Sequence, residues 1–312
     1  MAVERVRFGG WENNLRLSNA QAELIVTLDV GPRVISYRSA SGKNIFKTFE
    51  DQLGGVGETQ WLPRGGHRFW LAPEDPVLSY LPDNSPVAYR VLSDFEIQLE
   101  NAPNEQLPIR KVLRLVLDPG SARVTLTHRA ENCGCKPWVC ATWGLTMMRP
   151  GGIEIIPLPP LGSWPRDLLP NRRMVLWPYT DTADPRWRWG RRFITLRQAN
   201  AGPTKLGLVH CEGWVAYHND RSLFLKTIAC DRDARYPDDG CNFETFTNAE
   251  MLETEALGPL IELAPGESTG HTENWELRDG IPVPPEDEEN LANWVTSLHP
   301  VFAYAPAVHA AE

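Results

Sequence analysis

Apolar residues in this chain recur at every second position in short runs, and Gly, Pro, Asn and Asp break the runs apart. A strand turns successive side chains to opposite faces, so this period dictates half-buried β-structure over most of the chain. It predicts one hairpin over 23–39, where ELIVTLDV and RVISYRS flank Gly31-Pro32. A second is expected over 113–130, with Pro119-Gly120 at the turn and Val124, Leu126 and His128 sharing a face. Further strands are expected over 95–100, 139–148, 193–198, 205–210, 223–229, 250–256, 260–263 and 271–277. Short strands at such intervals, with no alternating helical segments, predict an all-β antiparallel β-sandwich.

Helical spacing is confined to the C-terminus. Pro284-Pro285 lead into 286–298, which is acidic in its first turn and carries Leu291, Trp294, Val295 and Leu298 at helical spacing. This short helix, within 284–298, is expected to cap the sandwich, and 301–312 reads as a loose tail. With 312 residues and neither an internal repeat nor a low-complexity linker, 1–312 reads as a single domain.

A net charge of -9 offers a phosphate backbone no general attraction, so nucleic acid is excluded as a partner class. No run is apolar enough for a membrane span, and the charged first 17 residues do not suit a signal peptide, so no membrane partner and a cytoplasmic location are expected. In a reducing cytosol Cys133, Cys135, Cys140, Cys211, Cys230 and Cys241 are expected to be structural thiols. The spacing of the first three does not give the two separated ligand pairs of a zinc site, and neither a metal nor a cofactor is expected.

The 12 Trp and 27 Pro are the compositional departure. An indole keeps a polar N–H to satisfy, and its flat face suits a sugar ring. Two long stretches resist strand assignment, 46–88 and 157–191, and are expected to wall a groove; the second carries Trp164, Trp177, Trp187 and Trp189. In the first, Gly65-Gly66 is followed by His67, Arg68, Trp70 and Glu74, a mixture of proton donor, forked cation, aromatic face and carboxylate that suits a polyol. An internal Arg68–Glu74 ion pair is the competing reading. In 250–255, Met251, Glu253 and Glu255 share a face, and the neighbouring carboxylates are expected to raise a pKa. That face could equally be solvated. The segment 236–244 supplies oxygen ligands for calcium or, more simply, a surface turn.

Together these segments resemble the galactose-mutarotase superfamily. The similarity lies in Gly31-Pro32-Arg33-Val34-Ile35-Ser36, Gly65-Gly66-His67-Arg68, Leu252-Glu253-Thr254-Glu255 and Leu263-Ala264-Pro265-Gly266-Glu267. With Trp177-Pro178-Tyr179-Thr180 and His271-Thr272-Glu273-Asn274-Trp275 added, the chain is similar to a bacterial family of unknown function within that superfamily. The resemblance implies a galactose mutarotase-like supersandwich and an aldose 1-epimerase-like isomerase of carbohydrate metabolism. A glutamate would remove the anomeric proton and a histidine would protonate the ring oxygen. Carried over by position, Glu253 is the base and His67 the acid, while Trp143 stands where the family has a second histidine. Arg68, Trp70, Glu74, Trp143, Trp177 and Glu255 are the expected substrate-binding residues, and the partner is a carbohydrate small molecule or oligosaccharide. Two other readings stay open: a non-catalytic carbohydrate-binding protein, and a sugar lyase or hydrolase on the same fold.

Overall fold

The computed structural model describes residues 3–298, and the expected tail at 301–312 lies outside them. In chain order the strands are β1 (Val3–Phe8), β2 (Trp11–Ser18), β3 (Ala22–Thr27), β4 (Arg33–Ser39), β5 (His67–Ala72), β6 (Ala88–Ser93), β7 (Glu96–Glu100), β8 (Ile109–Leu117), β9 (Arg123–Asn132) and β10 (Trp138–Met148). There follow β11 (Ile153–Pro157), β12 (Met174–Leu176), β13 (Trp187–Trp189), β14 (Phe193–Arg197), β15 (Thr204–Leu208), β16 (Trp214–Asn219), β17 (Ser222–Ile228), β18 (Phe243–Thr247), β19 (Leu252–Leu257), β20 (Ile261–Leu263) and β21 (Ser268–Arg278). The single helix among the described residues is α1 (Glu288–Leu298).

These strands build two antiparallel sheets. The first runs β1-β2-β3-β4-β5-β10-β19-β18-β15-β12, with β20 on the far end of β10; the second runs β13-β14-β11-β16-β17-β21-β9-β8-β7-β6. The period-two pattern decides which faces meet. Leu24, Val26, Met148, Leu252 and Ala256 of the first sheet pack with Leu113, Leu115, Leu126, Phe224 and Trp275 of the second in one continuous core. Helix α1 lays Leu291, Trp294 and Val295 on the outer face of the second sheet, against Ile155, Trp214 and Leu225. The outer face of the first sheet is therefore the large one that no helix of the described residues covers.

Three expectations are corrected. The stretch 46–88 contains a strand after all, and β5 is central to the first sheet, paired with β4 and β10. Both of its faces are covered, His67 and Phe69 inward and Arg68 and Trp70 outward, so it shows no polar–apolar alternation to read. The first hairpin is not closed by two residues, because β3 ends at Thr27 and β4 begins at Arg33, with a register shift between Ile25 and Val26. Cys211 and Cys230 are joined as a disulfide rather than held as thiols. Pairing of Trp214 with Thr227 brings the open ends of the β16–β17 hairpin together, which leaves the two Cα atoms 5.1 Å apart.

Gly65 and Gly66 enter β5 at φ of 97° and 74°. A Cβ on them would meet the carbonyl oxygens of Lys47 and Val34 at 2.1 and 2.2 Å, so their lack of a side chain serves the close approach of neighbouring backbone.

Candidate functional site

Adjacent positions of β5, β10 and β19 point to opposite sides of the first sheet, and each side gathers its own polar cluster. On the outer side, Arg68 of β5 is in register with Leu145 of β10, and Glu253 of β19 with Met147, the next outward position of β10. Arg68 Nη1 donates to Glu253 Oε1 at 2.5 Å, and both side chains are nearly enclosed. The guanidinium lies over the faces of Trp70 and Trp61, 4.4 and 5.4 Å from their centroids. Glu255, two positions on, accepts from Trp143 Nε1 at 2.9 Å and lies 3.4 Å from Lys205 Nζ. Lys205 pairs with Glu244 of β18 at 2.6 Å and rests between the indoles of Trp143 and Trp177.

Burial dominates the electrostatics of Glu255 and Glu244. Burial pushes Glu255 up to about 7; the Lys205 ammonium works against that shift and the Glu253 charge adds to it. Burial also raises Glu244 well above the usual carboxylate range, with Lys205 opposing and Glu255 reinforcing. Although burial disfavours a charged Lys205, its paired carboxylates Glu255 and Glu244 keep it an ammonium. The Oε1 atom of Glu255 is buried and has no hydrogen-bond partner among the described residues.

Around this floor, Tyr80 donates to Glu74 at 2.5 Å and sets its ring edge-on to Trp61 and Trp70. A cleft of about 470 Å³ opens beside Trp70 and Glu74, between the 73–86 loop and the starts of β8 and β10. Glu74 thus lies at the cleft mouth, and Arg68 pairs with Glu253, not with Glu74.

His67 is on the other side. Its ring is fully buried between the sheets, shares hydrogen bonds with Thr146 Oγ1 at 2.9 Å and His128 Nε2 at 2.7 Å, and packs against Trp275. The pairing of His67 with Glu253 across one pocket is therefore corrected. His67 is in register with Thr146 and through it with Thr254, the residue after Glu253, so the two point to opposite faces of the sheet and strand alternation forbids them to meet.

The inner cluster continues through His271, stacked on His128 at 4.3 Å, to Glu273, whose Oε2 pairs with Lys226 Nζ at 2.9 Å and accepts from Trp275 Nε1 at 2.8 Å. Lys226 also donates to Thr146 Oγ1 and the Thr254 carbonyl. Burial opposes ionisation of Glu273, but Lys226 and the adjacent histidines hold it well below the usual range. Burial, followed by Lys226, His271, Arg33 and Arg68, pushes His67 well below its ordinary value and leaves the ring neutral. His67, His128 and Glu273 bring ligand atoms within 4.8 Å of one another and are the residues that could hold a metal. Lys226 already supplies the cation that Glu273 requires, so this cluster is charge-balanced by the chain itself.

Lys205, Trp61 and Tyr80 are not among the site residues expected from sequence, and Glu244 is expected only as an oxygen ligand of the 236–244 segment. A signal existed for Glu244, a lone carboxylate in the FETFT strand, which pairs in register with Glu255. Within 236–244, residues 238–240 fold as a turn, with Asp238 and Asp239 at φ of 49° and 59°, and Phe243 and Glu244 open β18.

No protein family profile and no curated protein matches the chain. Solved structures do. A galactose mutarotase-like protein from Lactobacillus casei is 12% identical and superposes at a TM-score of 0.59 over 85% of this chain and 100% of that one. The Slr1438 protein from Synechocystis sp. is 12% identical at a TM-score of 0.58, over 88% of this chain and 99% of that one. An aldose 1-epimerase candidate from Escherichia coli is 12% identical at a TM-score of 0.53, over 85% and 98%. The chain has the galactose mutarotase-like fold, and no helix among its described residues is long and apolar enough to cross a membrane.

Proposed function

We propose that this chain is a carbohydrate-active protein that interconverts the anomers of an aldose on the outer face of its first sheet. One observation carries the reading: Arg68–Glu253 and Glu244–Lys205–Glu255 stand side by side on that face, on a floor and rim of Trp70, Trp143, Trp61 and Trp177. Neighbouring carboxylates with different cationic partners, set among indoles, are what acid–base work on a sugar ring requires. The fold shared with mutarotase-like proteins agrees with it.

Glu253, paired with Arg68, takes the proton of the anomeric hydroxyl. The C1–O5 bond breaks with its electrons going to O5, and Glu255, protonated in part near neutrality, gives O5 a proton. Rotation about C1–C2 presents the other face of the aldehyde; O5 re-adds, and the protons return to their donors. Two residues along a strand span about 6.6 Å, a separation suited to opposite edges of a pyranose. Glu255 thus takes the part that sequence position gave to His67. Trp61 covers Arg68 and is braced by Tyr80, so both must swing aside to admit the ring.

The test is anomer exchange followed by NMR on glucose, galactose and related aldoses, for wild type, Glu253→Gln and Glu255→Gln. Either variant is expected to lose about two to four orders of magnitude in rate. Sugar binding without exchange in the wild type would instead support the non-catalytic binding protein, and unchanged rates in both variants would overturn the assignment.

A further inference from the structure

The cleft beyond Trp70 holds a group for which the proposed reaction has no use. Lys111 of β8 is 9% exposed and lines the cleft, and among the described residues no acceptor lies within hydrogen-bond distance of its Nζ. The carboxylate whose charge it feels, Asp83, is already bonded to Arg33 Nη2 at 2.9 Å. A buried ammonium is stabilised by an oxygen acceptor, and the open side of Lys111 is the cleft.

The surroundings specify the ligand. Trp70 and Trp138 both line the cleft and supply aromatic surface, while Asn101 and Asn104 bring side-chain amides. At about 470 Å³ the space is within the range of ligand-enclosing pockets and is more than one sugar ring fills. Glu74, Asp75 and Asp83 share the lining with Lys111, so a phosphate or carboxylate would face mainly like charge. A neutral polyol can give a hydroxyl oxygen to the ammonium and hydroxyl protons to the carboxylates and amides.

We propose that this cleft is a second glycosyl subsite, so that the ligand is a reducing oligosaccharide with its terminal ring at Glu253 and its next ring beside Trp70 and Trp138, a hydroxyl on Lys111. The proposal rests on the sugar reading of the Arg68–Glu253 face, which meets the cleft at Trp70 and Glu74.

Calorimetric titration tests it, with maltose, cellobiose and lactose beside glucose, galactose and glucose 6-phosphate, on wild type, Lys111→Met and Trp138→Leu. At least one disaccharide is expected to bind about ten-fold more tightly than its reducing-end hexose. Each variant should lose that gain and keep its hexose affinity; the half-buried Trp138 provides a second readout should Lys111→Met fail to fold. Hexose binding with no disaccharide preference, or a preference that both variants retain, overturns the subsite alone. Glucose 6-phosphate binding more tightly than every disaccharide, dependent on Lys111, overturns it in favour of an anion site. Failure of every sugar to bind overturns the subsite together with the function proposed above.

Discussion

Arg68 Nη1 and Glu253 Oε1 meet at 2.5 Å across β10, each side chain more than nine-tenths enclosed. A buried pair costs most when one partner alone is removed, because the remaining charge stays buried without its counter-ion. Arg68→Met is expected to destabilise the fold by about 3–5 kcal/mol, and Arg68→Met with Glu253→Leu to recover most of that loss. Denaturant unfolding of the two single variants and the double variant checks this; strictly additive losses would refute a coupled pair.

The second expectation concerns pH. Glu255 is pushed up to about 7, first by burial, while Lys205 pulls it down. As the proton donor to O5 it works below that value, so turnover should fall as pH rises through about 7. Lys205→Met removes the ammonium that favours the ionised form, and the falling limb should move to higher pH. A pH–rate profile with the limb unmoved in the variant would refute the assignment.

His67 separates the inner cluster from the outer one. His67→Leu leaves Thr146 Oγ1 and His128 Nε2 each short of a partner in the core. The expected cost is about 1–3 kcal/mol of stability for each group stranded. The anomer-exchange rate per folded molecule should stay within about two-fold of wild type, since the ring never reaches the outer face. A loss of several orders of magnitude at unchanged stability would restore His67 as a catalytic residue.

Glu154 gives the fold its own pH dependence. Burial between the sheets pushes this carboxyl from 4.5 up to about 8, against the nearby Thr245 and Thr254 hydroxyls and Lys226. The unfolded chain releases the proton near 4.5 and the folded chain only near 8, so the contribution is whole below 4.5 and is lost as pH rises to 8. Glu154→Gln should remove a loss on the order of a few kcal/mol across that window. Melting curves at pH 5 and pH 8 check it: the variant should gain on wild type at the higher pH, and a constant difference would refute the shift.

Period-two apolar runs are enough to read the sandwich, because a strand with one buried face writes its register into alternate residues, as 123–132 does. The same alternation placed Glu253 and Glu255 on one face, and proline with first-turn acids marked the C-terminal helix to within two residues. Local pattern failed at His67–Ala72, a strand covered on both sides, where the side facing each residue depends on the sheets packed against it. It failed again for the company that Glu253 keeps. Arg68 lies 185 residues away and Lys205 and Glu244 on two further strands, and only the order β5-β10-β19-β18-β15 brings them to one face. Strand chemistry is local and legible in sequence, whereas the neighbours of a central strand are set by long-range pairing, which carries the cost of closing loops and leaves no local mark.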